Sequence, residues 1–345
     1  MSLVRLLEEK ADKTLYTTPS HGQRFFIYEP LKEMYKRDIS ETECFNPQEA
    51  LNQAQLRART IYHTYSTTYL TNGSTSGIIA AVLSCTQVGD KVLIASNSHP
   101  CHFNAVRLAG ARALTYDLDI DEEWGVPLET KPEVIDYFLS RYNIRTVIIT
   151  SPTYEGIISD IEEIKQICEK HNAFLIVDEA HGALYPFSDK LPLSAVNVAD
   201  FTVQSLHKTA GGLNPTALLH CNCGIDVRPA LDMFMTTSPS YPLLASIEEN
   251  IEYLNSREGR KEIDNLITRL DKMRLKCRGC QFFGDDPTKI LIKVPGISGY
   301  ELSEMLYQDF DIEDERTNEK STMLLCGIGT DNRKIDRLQH VLSKL

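Results

Sequence analysis

The sequence predicts an α/β fold, in which helices wrap a mostly parallel sheet, with a smaller α+β domain at the carboxyl-terminal end. Two observations support this prediction. Short apolar runs with strand character alternate with segments of helical period, such as residues 160–171, where Ile161, Ile164 and Ile167 recur at helical spacing. After about residue 245 the pattern changes to a long helical segment that leads into a further apolar run.

Apolar runs of strand length mark the sheet. They are KVLIAS (91–96), ALTYDL (113–118), TVIITS (146–151), AFLIVD (173–178) and TALLHC (216–221). The segment that starts at Ser246, SIEENIEYLNSREGRKEIDNLITRLDKMRL, is predicted to form one long helix. We therefore expect an amino-terminal segment over residues 1–60, a large α/β domain over 61–255, and a small α+β domain over 256–345, joined by that helix.

Composition excludes several function classes. The 345 residues carry 48 acidic and 36 basic side chains, a formal charge of -12 that opposes binding to nucleic acid. No apolar run is long enough to span a bilayer, and the first residues turn polar too soon for a signal peptide, so we expect a cytoplasmic protein without a membrane partner.

The nine cysteines fit reduced thiols better than a disulfide framework. Cys221, Cys223, Cys277 and Cys280 could be read as a zinc site, but their spacing is loose, and we expect no metal.

In open α/β sheets ligands bind at the carboxyl ends of the strands, so the polar residues that close each apolar run are the candidates for a site. The stretch TNGSTSG (71–77) runs into the apolar helical segment IIAAVLSC. Free backbone N–H groups at a helix amino terminus hold anions, which makes Ser74, Thr75 and Ser76 candidate phosphate ligands. The alternative is an ordinary helix cap, because serine and threonine are favoured there in any case.

Two further strand ends carry titratable groups. SNSHPCH places His99 and His102 just past a strand, where a histidine is more often an ordinary surface residue. LIVDEAHGA ends a strand in Asp178, Glu179 and His181. A carboxylate buried at a strand end needs a cation or donor opposite it, because an unpaired buried charge is too costly.

The stretch VQSLHKTAGG (203–212) ends a short predicted strand in Ser205, His207 and Lys208. Together with the other strand ends, these residues suit pyridoxal phosphate. Lys208 would offer the amine for a Schiff base with its aldehyde, Asp178 would keep the pyridine nitrogen protonated, and the helix start with Ser205 and His207 would hold the phosphate. The alternative for any lone lysine is a solvated surface position.

The order of these blocks resembles a known family. NGSTSG, SNSHPCH, SPTYEG, VDEAHGA, VQSLHKT and TSPSYPLLAS together resemble the ornithine/lysine/arginine decarboxylases, pyridoxal-phosphate enzymes of aminotransferase-like fold type I, here in a short form. The resemblance implies that Lys208 carries the cofactor, that Asp178 binds the pyridine nitrogen and that His99 stacks on the ring. The further cofactor-binding residues that it implies are Ser74, Thr75, Ala180, His181, Ser205 and His207. DPTKILIKVPGISGYEL, from Asp286, resembles the start of the family's small domain.

The chain departs from the family pattern in places that bear on the substrate. After Lys208 it reads Thr209-Ala210-Gly211-Gly212-Leu213-Asn214-Pro215, where the family commonly has bulkier residues. The block N-x-H-K-S appears as residues 97–101, NSHPC, and the early block P-G-H-K-x-G appears as residues 19–23, PSHGQ. The cofactor residues are intact, whereas these changes leave the substrate open.

The first hypothesis is decarboxylation of a basic amino acid, with arginine ahead of lysine and ornithine. In it Lys208, Asp178, His99 and His207 are the catalytic residues, and His207 is a candidate proton donor to the carbanion that loss of CO₂ leaves. The second hypothesis keeps the cofactor but assigns transamination, or elimination and cyclisation, on a modified basic amino acid. The third is a pyridoxal-phosphate-binding scaffold that has lost turnover, which the intact Lys208 and Asp178 disfavour.

A further expectation concerns the oligomer. TTSPSYPLLASIEENIEYL begins with hydroxyl-rich residues and continues as a helix with an apolar face. By itself the stretch Thr237–Tyr241 is a turn that leads into this helix. The resemblance implies instead that the block reaches across a two-fold interface, so we expect a homodimer in which Thr237 and Ser238 lie near the partner's cofactor.

Overall fold

The computed structural model describes residues 2–11, 32–42 and 46–345. The altered early block at residues 19–23 lies outside the described residues. The helices are α1 Leu3–Ala11, α2 Lys32–Arg37, α3 Gln48–Tyr62, α4 Gly73–Cys85, α5 Pro100–Leu108, α6 Pro132–Arg141, α7 Ile161–Lys170, α8 Leu206–Thr209, α9 Arg228–Leu231, α10 Tyr241–Asn255, α11 Arg257–Lys276, α12 Gly299–Phe310 and α13 Asn332–Leu342. The strands are β1 Ser66–Leu70, β2 Lys91–Ala95, β3 Arg112–Tyr116, β4 Ile120–Asp121, β5 Val126–Pro127, β6 Thr146–Thr150, β7 Phe174–Asp178, β8 Phe201–Ser205, β9 Ala217–Cys221, β10 Gln281–Phe283, β11 Lys289–Lys293, β12 Arg316–Thr317 and β13 Thr322–Leu325.

The main sheet has seven strands in the order β1-β9-β8-β7-β6-β2-β3. The pairs from β8 through β7, β6 and β2 to β3 are parallel, and β9 runs antiparallel between β8 and β1. The predicted α/β class with a mostly parallel sheet is confirmed, and all five predicted strands form. Because β6, β7 and β8 are parallel neighbours, Thr150, Asp178 and Ser205 close their strands at one edge of the sheet.

Helix α4 crosses the strands at close range. Its Gly77 leaves no room for a side chain, since a Cβ there would lie 2.8 Å from both Leu70 and Val203 side-chain carbons. Real Cβ atoms do not approach other carbons so closely, so only glycine lets the first turn of this helix lie against the sheet. The amino terminus of α4 is thereby placed at the edge where the parallel strands end.

The segment predicted as one long helix is two helices, and that prediction was wrong. Helix α10 ends at Asn255, and Ser256, in an extended conformation, caps α11 by accepting a hydrogen bond from Gly259 N at 3.0 Å. A Cβ at Gly259 would lie only 2.0 Å from the carbonyl oxygen of Tyr253. Residues 255–262 contain no apolar side chain, and Ser256 and Gly259 within this polar stretch were signals of a break that the sequence prediction did not use.

The carboxyl-terminal part forms an antiparallel sheet in the order β10-β11-β13-β12. Its buried strand residues share an apolar cluster with α11, α12 and α13, while Leu291 and Met323 pack on Trp124 and Val126 of the preceding part. A smaller α+β unit is therefore present. The division at residues 60 and 255 stays a prediction.

None of the helices in the described ranges combines the length and apolar character needed to cross a membrane.

Candidate active site

A cavity of about 630 Å³ lies at the carboxyl ends of the parallel strands. It gathers side chains from segments that are distant in the sequence. Most of the predicted site residues line it, namely Ser74, Thr75, His99, Asp178, Ala180, His181, Ser205, His207 and Lys208. Three predicted residues, Ser76, Thr237 and Ser238, are not among its lining residues.

Lys208 stands on the one-turn helix α8, directly after the fully buried strand β8. Its Nζ lies 2.9 Å from Nε2 of His181. Burial lowers the pKa of Lys208, against the charges of Asp178 and Glu315 that act to raise it. The side chain is therefore a partly buried amine with an increased fraction of the uncharged, nucleophilic form, rather than a solvated surface lysine.

Ser205 and His207 flank the lysine on the same strand end. Nδ1 of His207 donates to the carbonyl oxygen of Thr216 at 3.1 Å, which leaves Nε2 as the other nitrogen of this ring. The hydroxyl of Ser205 is buried and has no hydrogen-bond partner among the described residues. A buried orphan hydroxyl is uncommon, and one that lines a cavity marks a place for a polar group of a ligand.

Asp178 closes β7 and is almost completely buried. Its Oδ2 lies 2.8 Å from Nε2 of His102, and its Oδ1 accepts from the backbone N–H of Ala180 at 3.1 Å. Burial opposes ionisation of this carboxyl, but the hydrogen bond and charge of His102, with the charge of Lys208, bring its pKa below the ordinary value. The carboxylate therefore stays ionised, as the argument from its burial required, and His102 is one of the groups that face it.

The two histidines of the SNSHPCH block have different surroundings. His99 is exposed to the cavity, and its Nδ1 accepts from the backbone N–H of Cys101 at the start of α5. His102, one turn later, is fully buried, and its Nδ1 has no hydrogen-bond partner among the residues described by the structure. Cys101, His102 and Asp178 have potential ligand atoms within 4.8 Å of one another. Burial raises the pKa of the Cys101 thiol to about 12, which disfavours the thiolate that a metal needs, and we propose no metal there.

The side chains of the D-E-A-H stretch lie partly in the cavity and partly in the protein core. Asp178 and His181 face the cavity, whereas Glu179 points into the protein. Glu179 accepts hydrogen bonds from Ser194 Oγ at 2.7 Å, from the backbone N–H of Ala195 at 2.7 Å and from Gln204 Nε2 at 2.6 Å. Glu179 therefore connects the end of β7 to the loop before β8 and to β8 itself.

The start of α4 presents hydroxyl and backbone groups to the cavity. Asn72, Gly73, Ser74 and Thr75 line it, and the first turn of the helix carries no acidic residue. Ser76 does not join them, because its side chain is buried and its hydroxyl donates to the carbonyl oxygen of Gly73 at 2.7 Å. Of the three predicted phosphate ligands, Ser74 and Thr75 therefore line the cavity and Ser76 does not.

The altered loop after Lys208 forms one wall of the cavity through Asn214 and Pro215. Gly211 has a φ of +85°, and a Cβ on Gly212 would lie 2.5 Å from Thr216 Oγ1. The carbonyl oxygen of Pro215 accepts from the backbone N–H of Gly73 at 2.8 Å. The two glycines are therefore needed for a tight turn that brings this loop against the start of α4.

The sequence did not single out several residues of the cavity. Tyr154 and Glu155 belong to the SPTYEG block, but nothing in the sequence placed them opposite Arg316 of the small sheet. Nε of Arg316 lies 3.5 Å from Oε1 of Glu155, and its guanidinium stacks 4.8 Å from the ring centre of Tyr154. The hydroxyl of Tyr154 donates to Glu315. Oε2 of Glu155 is buried and has no hydrogen-bond partner in the described ranges. Burial raises the pKa of this carboxyl, although Arg316 acts to lower it.

The sequence analysis also missed Lys289. It lies on β11, is only 1% exposed, and places its Nζ 2.7 Å from Nδ1 of His181. A fully buried lysine is rare enough to be a signal, but its burial cannot be read from the segment DPTKILIK alone.

The remaining predicted residues lie elsewhere. Thr237 and Ser238 are exposed on the loop before α10. Cys221 and Cys223 lie 3.7 Å apart, sulfur to sulfur, at the end of β9, whereas Cys277 and Cys280 pack against the carboxyl-terminal residues around Leu342. The two cysteine pairs belong to different parts of the fold, so they do not form the four-thiolate arrangement considered from the sequence.

The chain is similar to several known proteins in sequence and in fold. An arginine decarboxylase of Halalkalibacterium halodurans is 28% identical over 325 residues, which are 88% of this chain and 66% of that protein. The crystal structure of a lysine decarboxylase of Francisella novicida superposes with a TM-score of 0.85 at 19% identity and covers 99% of this chain and 59% of its own. A structure of SPT with PLP shares the fold at a TM-score of 0.67 and 14% identity, over 85% of this chain and 75% of its own.

The chain thus spans somewhat less than two thirds of the first two relatives. Residues 32–287 match the family described as Orn/Lys/Arg decarboxylase, major domain. This match extends over most of the chain and includes every predicted site residue, and the protein belongs to the Orn/Lys/Arg decarboxylase family.

Proposed function

We propose that the protein is a pyridoxal-phosphate-dependent decarboxylase that converts a basic amino acid, arginine ahead of lysine and ornithine, into its amine and CO₂. The observation that carries this proposal is the meeting of three groups in one cavity. These are the amine of Lys208, the buried carboxylate of Asp178 and the amino terminus of α4. Membership of the family and the relatives named arginine and lysine decarboxylase support it.

The residues of the cavity fit the cofactor. Lys208 offers the amine for its carbonyl, and Asp178, ionised at neutral pH, offers a partner for a protonated pyridine nitrogen. The backbone of the α4 start, with Ser74, Thr75 and the orphan hydroxyl of Ser205, offers donors for its phosphate. Bound there, pyridoxal phosphate supplies the electron sink that stabilises the carbanion formed when CO₂ leaves.

The side chains of the chain then have separable tasks. Asp178, hydrogen-bonded to His102 and Ala180, maintains a fixed negative charge at the bottom of the cavity. His99 lines the cavity, and its ring is proposed to stack against the aromatic ring of the cofactor. His207 has its Nδ1–H engaged by Thr216, and its Nε2, when the ring carries a second proton, is the proposed site from which that proton reaches the substrate α-carbon.

Preference for a basic substrate is supported by Glu155. This carboxylate lines the cavity, its residue is 4% exposed, and its Oε2 has no hydrogen-bond partner in the part of the chain that the structure describes. A buried acceptor of this kind is costly unless a donor reaches it, and a guanidinium or ammonium group supplies both the hydrogen bond and the charge. We propose that Glu155 binds the cationic end of the substrate.

The second candidate is transamination, or elimination and cyclisation, with the same cofactor on a modified basic amino acid. The observation that favours it is the altered loop, because Asn214 and Pro215 form part of the cavity wall. A changed wall changes which bond of the substrate α-carbon is held in the reactive orientation.

Incubation of the purified protein and pyridoxal phosphate with arginine, lysine or ornithine separates the candidates. We expect stoichiometric CO₂ and amine, with arginine turned over fastest. Keto acid together with the pyridoxamine form of the cofactor would favour transamination instead, and no product from any of the three would overturn the proposed reaction. As a control, Lys208→Ala should lose the visible absorbance of the lysine-bound cofactor.

The assembly and compartment are also proposals. We propose a homodimer in which Thr237 and Ser238 complete the partner's site, which is supported by their exposure outside the cavity of their own chain. The eight described cysteines are all free thiols, which supports a reducing, cytoplasmic environment.

A further inference from the structure

Two cysteines at the end of β9 have their sulfur atoms in contact. Sγ of Cys221 lies 3.7 Å from Sγ of Cys223. Cys221 is the last residue of the strand and is 1% exposed, whereas Cys223 is partly exposed on the loop that follows. Because a disulfide bond is about 2 Å long, the two sulfurs need to approach by less than roughly 2 Å to form one.

The residue between the two cysteines is held firmly by the fold. Asn222 makes three hydrogen bonds to the segment before β8, one through its backbone N–H and two through its side-chain amide. The acceptors are the carbonyl oxygens of Asp200 at 2.9 Å, Val196 at 2.6 Å and Ala199 at 2.9 Å. The flanking cysteines therefore start from a fixed backbone, and the contact between their sulfurs belongs to the folded protein.

The contact also changes the chemistry of the inner thiol. The hydrogen bond from Cys223 lowers the pKa of Cys221 to about 7, although burial acts to raise it. The thiolate is the form that attacks in thiol–disulfide exchange. Cys221 is thus a nucleophile directed at the sulfur of Cys223.

The other closely spaced cysteine pair lacks this arrangement. Cys277 and Cys280 flank the end of α11 with the spacing C-x-x-C. Sγ of Cys277 lies near the carbonyl oxygen of Gln339 and the hydroxyl of Ser343, and Sγ of Cys280 lies 3.6 Å from the carbonyl oxygen of Leu342. These two thiols are directed at separate partners, so the chain contains an internal control for cysteines that are close only in sequence.

A metal site at Cys221 and Cys223 is not supported. A structural zinc takes four ligands, and two thiolates supply half of them. Within the described ranges, the one group of three or more potential ligands is Cys101, His102 and Asp178, in another part of the fold. The contact therefore favours bond formation between the sulfurs over coordination of an ion.

We infer that Cys221 and Cys223 form a reversible redox site that reacts with low-molecular-weight disulfides. Cys223, the more exposed thiol, loses its proton to solvent and attacks one sulfur of the small disulfide, which expels the other sulfur as a thiol. The Cys221 thiolate then attacks the sulfur of Cys223, forms the Cys221–Cys223 bond and expels the second small thiol. Two electrons pass from the protein to the small disulfide, and two protons end on the two small thiols.

The redox site is separate from the proposed active site. Cys221 pairs with Phe201, the first residue of β8, whereas Ser205, the last residue of that strand, lines the cavity. The two sites therefore lie at opposite edges of the main sheet. The inference needs neither cofactor nor turnover, and a failed decarboxylation assay would leave it untouched.

The test uses the full-length protein, reduced and then incubated with oxidised glutathione. After an acid quench, remaining thiols are alkylated under denaturing conditions, and tryptic peptides are analysed by mass spectrometry. The peptide of residues 209–257 contains no cysteines other than Cys221 and Cys223. We expect this peptide to lose both alkylation sites and the mass of two hydrogen atoms, and to regain them with dithiothreitol. Cys277 and Cys280 should remain alkylated.

Two serine variants test the order of the steps. In Cys221→Ser the attacking thiol remains and the resolving thiol is absent, so glutathione should accumulate on Cys223 as a mixed disulfide. In Cys223→Ser the buried Cys221 should remain alkylated. The reverse result, with glutathione on Cys221 in Cys223→Ser, would overturn the inference.

The unchanged protein provides a test that does not depend on any variant. Retention of both alkylation sites in residues 209–257 would overturn the inference, provided that the denatured protein forms the bond under the same conditions. Equal oxidation of Cys277 and Cys280 would also overturn it, because the contact between Cys221 and Cys223 would then confer no special reactivity.

Discussion

At the scale of single residues, the cavity is distinguished by polar atoms that lack partners. Oε2 of Glu155 and Oγ of Ser205 are buried and unpaired, although nearly all such atoms in folded proteins are hydrogen-bonded. Both residues line the same cavity. Such atoms reduce the stability of the free protein and become satisfied when a ligand binds, which is the pattern expected of a binding site rather than of a core.

We predict that Glu155→Gln raises KM for the basic substrate by about 10-fold to 100-fold, with a smaller change in kcat. The amide retains a hydrogen-bonding group but loses the charge that faces the substrate cation. Steady-state kinetics with arginine, lysine and ornithine measures the effect.

The matched control for this prediction is Glu122→Gln, the same change at an exposed residue outside the cavity, which should leave both constants unchanged. An unchanged KM in Glu155→Gln, in a protein that still decarboxylates, would show that Glu155 does not contact the substrate.

At the scale of elements, Glu179 fixes the strand ends that carry the site. Its carboxylate holds together the end of β7, residues Ser194 and Ala195 of the following loop, and Gln204 of β8. These hydrogen bonds also help to fix the positions of Asp178 and Lys208. Asp178 is the last residue of β7, next to Glu179, and Lys208 lies on the short helix that follows β8. These three hydrogen bonds explain the glutamate of D-E-A-H by a structural role better than any role in catalysis does.

We predict that Glu179→Ala lowers the free energy of unfolding by about 3 kcal/mol or more, because three donors lose their acceptor. Urea denaturation measures this change, and Glu304→Ala, at an exposed position of α12, should stay within roughly 0.5 kcal/mol of the unchanged protein.

The same carboxyl makes stability depend on pH. Burial raises the pKa of Glu179 to about 7, so between its ordinary value of 4.5 and that pH the folded chain binds more protons than the unfolded chain. The contribution of Glu179 to stability is therefore greatest at low pH and decreases as pH rises through this range. The difference between the unchanged protein and Glu179→Ala should accordingly be larger at pH 5 than at pH 8, and the reverse order would contradict this account.

At the scale of the whole molecule, the site contains residues from both sheets and, in the proposed dimer, residues from a second chain. Lys289 and Arg316 reach it from the small sheet, and the loop with Thr237 and Ser238 lies exposed outside it. Catalysis would then depend on how these parts are assembled, as well as on the residues of the large sheet.

We predict complementation between two inactive chains. When Lys208→Ala chains are mixed in equal amounts with chains substituted at Thr237 and Ser238, both defects fall in the same site of a mixed dimer, and the other site is intact. Random pairing should then restore about a quarter of the activity of the unchanged protein. Sedimentation measures the oligomeric state, and co-purification of two differently tagged chains verifies mixed dimers. No recovery from verified mixed dimers, or full activity in a monomer, would exclude the shared site.

The sequence by itself determined the fold class and the chemical character of the site. Both depend on local patterns. Apolar runs of strand length mark β2, β6 and β7, and the polar residues that close buried strands, such as Asp178 and Lys208, must lie at one edge when those strands are parallel. The break between α10 and α11 was missed although residues 255–262 contain no apolar side chain and include Ser256, which caps α11.

Only the tertiary structure decided which groups surround these residues. His102 meets Asp178 across 76 positions of the sequence, and Lys289 meets His181 across 108. Such contacts depend on how helices and sheets pack, and neither residue has a neighbour in the chain that signals its partner. The pKa values of Lys208 and Asp178, and thus the reactivity of the site, arise from burial and from these distant contacts, because charge interactions depend on distance in space rather than on separation along the chain.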